Sequence, residues 1–182
     1  WNLVPRNSIP HGRKPCKWVY TIKYNREGFI DRFKSRFVVC GYSQVEGVDY
    51  DQAFSSTLRA TSFRILLALA AQQNLQLEHV DVSNAFTQAK LDDVDIWVEP
   101  PKGYEQIKNG VPMVLKLVKA LYGAKQSGRL WQDTLRAFLL GYGFTGSVQD
   151  PCLFTLRRNG HTLLLGVYVD DIVCAHSDQS IF

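Results

Sequence analysis

Residues 152–175 read CLFTLRRNGHTLLLGVYVDDIVCA, and this stretch decides the fold. Residues 152–157 form one expected strand and 162–169 a second. Asn159-Gly160 between them is the strongest short signal for a hairpin turn. Asp170-Asp171 then interrupts an otherwise apolar run from Leu163 to Ala175, and IVCA continues beyond it. A charge buried without a partner is costly, so packing gives no reason to place two adjacent carboxylates there. A tight turn between two core strands, presenting both carboxylates to a cation, fits. An ordinary polar hairpin turn is the plain alternative. Asp92-Asp93, in a polar loop, shows how little the dipeptide means by itself.

Asp81 sharpens the reading. It lies at the end of an expected strand, Leu75 to Val82, and precedes Ser83-Asn84-Ala85-Phe86, a turn into a short helix. A helix cap is its local alternative. If this strand neighbours the Asp170-Asp171 turn in one sheet, three carboxylates converge at the sheet edge. Such a hard-oxygen set suits Mg²⁺. Two ions about 4 Å apart can activate a 3′-hydroxyl and steady a leaving pyrophosphate.

Working outward, 17–24 and 32–41 alternate as strands around an Asn25–Gly28 turn, which makes a basic β-hairpin. Lys14, Lys17, Lys23, Arg26, Arg32, Lys34 and Arg36 face only Glu27 and Asp31 in that region. Residues 1–16, with Pro5, Pro10 and Pro15, read as an extended arm, and 43–58 as loop. A helix runs from a Thr61-Ser62 cap to about Gln73. Apolar residues on most of its faces (Phe63, Ile65, Leu66, Leu69) imply burial. Strands are expected at 95–98 and 114–118. A second helix, 127–140, starts on Ser127 and carries Leu130, Trp131, Leu135, Phe138 and Leu139 on one face. The sum is an α+β fold, with two helices packed on an antiparallel sheet.

The 182 residues suffice for one sizeable core or two small lobes. The net charge of +4 is compatible with a nucleic-acid partner and does not require one. Four cysteines form no CxxC pair, and Cys40, Cys152 and Cys174 sit in apolar runs as expected buried thiols. Together these point to a reducing, intracellular setting. No run approaches the ~20 apolar residues of a membrane span, so no membrane partner is expected. The chain begins on Trp1 and ends on Phe182, which reads as a piece of a longer protein.

Several segments are similar to one known family. Tyr168-Val169-Asp170-Asp171 resembles the YVDD box of reverse transcriptases, and Asp81-Val82-Ser83-Asn84-Ala85-Phe86 resembles their DVxxAF motif. Lys17-Trp18-Val19-Tyr20, residues 32–38 (RFKSRFV), Gly41-Tyr42-Ser43-Gln44, Gly47-Val48-Asp49-Tyr50 and residues 99–104 (EPPKGY) resemble the copia-type branch of retrotransposons. So does Leu121-Tyr122-Gly123-Ala124-Lys125-Gln126 followed by Arg129 and Trp131. The ordered set covers nearly the whole chain. Departures are Ala124 where the family usually has Leu, Gly128 for Pro, Cys40 for Lys, and no Pro in residues 54–58.

The resemblance implies the reverse transcriptase domain of a Pol polyprotein: a right-hand polymerase with fingers at about 1–60, palm at about 61–182 and no thumb. Asp81 and Asp170 would be the main ligands of two Mg²⁺ (or Mn²⁺), with Asp171 in support. Phe86 would gate the sugar, where a ring leaves no room for a 2′-hydroxyl; its alternative is a core aromatic. Lys23, Lys34 and Arg36 would contact the incoming triphosphate, or else form a solvated basic face. Tyr168 and Gln126 would line the substrate side, and Gln126 could equally start a helix. Expected partners are an RNA or DNA template with primer, deoxynucleoside triphosphates, and the remaining thumb, RNase H and integrase regions, in a cytoplasmic virus-like particle. Without the regions that grip the primer, residues 1–182 alone are not expected to polymerise. The rival is a catalytically silent relic that at most binds nucleic acid. A metal-dependent nuclease or phosphotransferase would use similar carboxylates without explaining the ordered motifs.

Overall fold

The computed structural model describes residues 1–9, 12–92 and 94–182. Pro10 of the expected arm and Asp93 of the acidic loop pair lie outside the described residues. In chain order the elements are β1 (Asn2–Pro5), β2 (Cys16–Tyr24), β3 (Ile30–Val39), α1 (Ala60–Gln72), β4 (Gln76–Asp81), β5 (Trp97–Val98), β6 (Ile107–Lys108), β7 (Val111–Lys116), α2 (Ser127–Tyr142), β8 (Thr145–Gly146), β9 (Leu153–Arg158), β10 (His161–Tyr168) and β11 (Asp171–His176). The α+β class holds, with three antiparallel sheets among the described residues in place of one. Two compact units form, each discontinuous in sequence. One comprises Trp1–Ala53 with Phe86–Leu130, the other Phe54–Ala85 with Trp131–Phe182.

In the second unit the strand order is β4-β11-β10-β9-β8. The Asn159-Gly160 turn takes φ of 52° and 81°, the double positive φ of a two-residue hairpin loop, which Asn and Gly tolerate. Apolar side chains of β9, β10 and β11 (Phe154, Leu156, Leu165, Val167, Ile172) pack with Leu139 of α2 and Phe144 into a buried core. Gly166 lets Leu58 and Leu66 approach β10 closely.

Helix α1 departs from expectation. Only Leu66 and Ala70 are buried, and Ile65 is 54% exposed, so an all-round apolar surface does not mean all-round burial here. Nor does Thr61-Ser62 cap it. The N-cap residue is Arg59, which makes no side-chain cap bond. Instead Asp150, far along the chain and buried, accepts the Arg59 backbone N–H at 3.1 Å and the Cys152 N–H at 3.0 Å. Burial pushes the Asp150 carboxyl up. Hydrogen bonds from Ser62, Cys152 and Arg59, with the Arg59 charge, outweigh that and hold it below the usual carboxylate range. A lowered folded pKa means stability that is present above the ordinary carboxylate pKa and lost as pH falls through the folded value. Asp150→Ala is therefore expected to cost about 2–3 kcal/mol near neutral pH, since it strands buried donors. Urea denaturation at pH 7 and pH 3 checks this: the gap between variant and parent should shrink at the lower pH.

In the first unit β1 pairs with β7, so part of the expected arm is a strand. β5 and β6 also pair with β7. Val39, Leu91, Ile96, Val98, Leu115 and Leu121 form its core. The hairpin β2–β3 has two distinct faces. Directly opposed pairs Val19–Arg36, Thr21–Lys34 and Lys23–Arg32 alternate with Trp18–Phe37, Tyr20–Ser35 and Ile22–Phe33. One face is thus basic and the other aromatic, with Tyr20 74% and Phe33 76% exposed. On α2, Phe138 is 65% exposed and stacks on Tyr142, outside the core expected for it.

All four cysteines are free, and Cys40, Cys152 and Cys174 are buried as expected. Burial pushes the Cys152 and Cys174 thiols up to about 11 and that of half-buried Cys16 to about 12, which makes them poor nucleophiles. Among the described residues no helix is long and apolar enough to cross a membrane.

Candidate active site

Strands β4 and β11 are direct neighbours, and the register sets Asp81 opposite Asp171. Directly opposed residues project to one face, so both carboxylates leave the same side of the sheet edge. The Val82 N–H donates to the Asp170 carbonyl at 2.9 Å, which ties the strand end to the turn. The neighbouring strands that the three-carboxylate reading requires are therefore present, all in the second unit. Asp81 and Asp171 are exposed and Asp170 half-buried.

The turn itself is strained. Tyr168 and Asp171 pair, leaving Val169 and Asp170 as a two-residue loop. Val169 has φ 58°. That is the first central position of the turn, where the positive φ usually calls for glycine. A β-branched residue there is a genuine outlier, costing about 1–3 kcal/mol. Its carbonyl is held: the buried indole of Trp131, on α2, donates to it at 2.7 Å. The sequence places Trp131 on the apolar face of α2 and within the copia-type motif, and discloses no bond to this turn.

His79 is a second neighbour that the sequence did not disclose. Two residues before Asp81 and thus on the same face, its Nε2 lies 3.0 Å from Asp171 Oδ1. Both side chains are more than half exposed, so solvent screens the pair and it contributes little to stability. Among the described residues no group of three or more His, Cys, Asp and Glu side chains is placed to hold a metal ion. The donor chemistry at the β4–β11 edge nonetheless suits a hard divalent cation: carboxylate oxygens on neighbouring backbone positions, open to solvent.

The remaining sequence candidates separate. Tyr168 is 53% exposed beside the turn. Phe86 belongs to the first unit. Its ring lies 4.8 Å from that of Tyr122, tilted by 57°. Lys23, Lys34 and Arg36 share the basic face of the hairpin, with Lys23 exposed and the other two half-buried. Gln126 is turned inward. Its Oε1 accepts from Gln44 Nε2 at 3.1 Å and its Nε2 donates to the Asp49 carbonyl at 2.9 Å. Asp49 in turn binds Lys14 at 2.7 Å and the Val45 N–H. Gln126 thus helps to join residues 44–49 to the start of α2, and its amide is engaged there.

Comparison with known proteins shows the family of the chain. The model of the family described as reverse transcriptase (RNA-dependent DNA polymerase) matches residues 1–182, and the chain belongs to that family. Within it, the chain is similar to Pol polyproteins of copia-type transposons. It is 40% identical over 181 residues to the retrovirus-related Pol polyprotein from transposon RE1 of Arabidopsis thaliana, covering 100% of this chain and 12% of the relative. It is 38% identical to that from transposon RE2 of the same plant, over 98% of this chain and 12% of the relative. It is 35% identical to that from transposon TNT 1-94 of Nicotiana tabacum, over 95% of this chain and 13% of the relative. The chain therefore spans about an eighth of the length of these relatives. No solved structure matches it.

Proposed function

We propose that the chain is the fingers (about 1–60) and palm (about 61–182) of an RNA-directed DNA polymerase, extending a primer on an RNA or DNA template from deoxynucleoside triphosphates. The observation that carries this reading is Asp81 set opposite Asp171 at the sheet edge, with Asp170 in the adjoining turn. Asp81 and Asp170 are the main metal ligands in this reading and Asp171 the supporting one. Two Mg²⁺, or Mn²⁺, would activate the primer 3′-hydroxyl and neutralise the departing pyrophosphate. Residues of this chain do the rest. Lys34 and Arg36 bind the triphosphate, with Lys23 further along the same face. Phe86, five residues after Asp81, excludes a 2′-hydroxyl, and Tyr168 borders the catalytic turn. The basic and aromatic faces of β2–β3 suit a nucleic-acid partner, since phosphates pair with bases such as Lys and Arg while exposed rings can stack on unpaired bases. Thumb, RNase H and integrase regions of a Pol polyprotein are the expected covalent partners, and a cytoplasmic virus-like particle the expected setting.

Primer extension by the longest polypeptide that carries this chain tests the proposal, on RNA and DNA templates with Mg²⁺. The rival reading is a silent relic, and the departures from the family pattern at Cys40, Ala124 and Gly128 favour it. Template-dependent incorporation excludes the relic. Nucleic-acid binding without incorporation supports it.

Neutralising Lys34 and Arg36 together is expected to raise the KM for deoxynucleoside triphosphate more than it weakens template binding, because their contacts are to the triphosphate. Steady-state kinetics and a salt titration of template affinity separate the two. Equal loss in both, with a shallower salt slope, would mark these residues as template-backbone contacts.

A further inference from the structure

We infer that Tyr122 is a positioning residue that braces Phe86 and so sets the discrimination between deoxyribonucleotides and ribonucleotides; the inference rests on Phe86 being the sugar gate. A gate that rejects one hydroxyl works only if its ring cannot swing aside. Phe86 sits on a single short 3-10 turn, Ala85–Gln88, and is half-buried. So small an element does little to fix a side chain, and a packing partner must do it. Tyr122 is that partner, at a centroid distance of 4.8 Å and a tilt of 57°, within the range of favourable aromatic pairs.

Tyr122 is itself well anchored. Its carbonyl accepts the Val39 N–H at 2.8 Å. The next residue, Gly123, has φ 87° and lies so close to the Val39 carbonyl that any Cβ would collide with it. The backbone beneath Tyr122 is thus clamped to the end of β3. Its ring is also engaged by Arg36, whose guanidinium carbon is 5.6 Å from the ring centroid, within cation–π reach. Arg36, Tyr122 and Phe86 form one contiguous series. A group proposed to hold the triphosphate is thereby linked, through one ring, to the group proposed to test the sugar.

The experiment is single-nucleotide incorporation by the longest polypeptide that carries this chain. It reads kcat/KM for a deoxyribonucleotide against that for the matching ribonucleotide. Tyr122→Leu is expected to lower the ratio roughly three- to tenfold, the worth of one aromatic pair, and Tyr122→Phe to restore it. In Phe86→Val the ratio should fall further, and adding Tyr122→Leu should lower it no more, because a brace without a gate has nothing to hold. Should Tyr122→Leu not fold, Tyr122→Met fills the volume with a flexible side chain and gives the same reading. An unchanged ratio in the Tyr122 variants, beside a lowered one in Phe86→Val, overturns the inference and leaves the gate standing. An unchanged ratio in Phe86→Val overturns the gate and the inference with it. Equal loss for both nucleotides without rescue by Tyr122→Phe would make Tyr122 a purely structural residue. No incorporation by the unaltered chain would overturn the polymerase reading itself.

Discussion

Asp170→Asn is expected to leave the fold standing and to lower the rate of primer extension on the order of 1,000-fold, the effect of removing one preorganised electrostatic contact from a transition state. That is about 4 kcal/mol of transition-state stabilisation. The substitution is nearly isosteric. Asp170 is half-buried in a two-residue turn whose backbone ties are the Val82 N–H on its own carbonyl and the Trp131 indole on the preceding one. Asparagine preserves both, since neither uses the carboxylate. What disappears is the charge that a divalent cation needs. Asp81→Asn should behave alike. Asp92→Asn, in an exposed loop of the other unit, should have no effect. Thermal melts establish that the variants fold, and single-turnover extension supplies the rates. Extension within tenfold of the parent in Asp170→Asn would remove Asp170 from catalysis.

The carboxylates could be found in the sequence because their surroundings are so unlike them. Strands β10 and β11 are inner strands of a five-stranded sheet, so burial writes long apolar runs into both, and Asp170-Asp171 stands out against these. The Asn159-Gly160 turn was equally legible, since its two positive φ values demand that kind of residue. Other features depend on groups far away in the chain. β1 could not be separated from an extended arm because its partner, β7, lies more than a hundred residues on. The cap of α1 comes from Asp150, which no local pattern near Thr61-Ser62 could reveal. Composition made α1 look buried all round, but exposure depends on what covers a helix, and Ile65 is left open. The residues that orient the candidate site were the least legible. His79 is one alternating position in an ordinary strand, and Trp131 one apolar residue on an amphipathic helix. Only the register of β4 on β11, and the packing of α2, bring them to Asp171 and Val169.

Trp131 therefore carries the second large expectation. The Val169 backbone is held in a conformation that valine disfavours by about 1–3 kcal/mol. Strain of that size persists only where surrounding contacts impose it. The contact seen here is the 2.7 Å hydrogen bond from the Trp131 indole to the Val169 carbonyl, made from a residue that is 6% exposed. Trp131→Phe removes the donor, keeps an aromatic ring in the core, and leaves the turn free to relax. Asp170 is the next residue, so relaxation moves a proposed metal ligand. Misplacement of a reacting group by about 1 Å can cost on the order of 100-fold in rate, and that is the expected fall in kcat, with the KM for deoxynucleotide little changed. Loss of stability could mimic this. Leu139→Ala separates the two effects, because Leu139 is buried in the same unit and belongs to its core cluster. Its loss should cost about 2–5 kcal/mol of stability while leaving the turn's hydrogen bond in place. The discriminating measurement is kcat for both variants at a temperature where both are folded. A selective fall in Trp131→Phe assigns the indole to the geometry of the catalytic turn. Equal falls would mean that Trp131 acts only by filling the core.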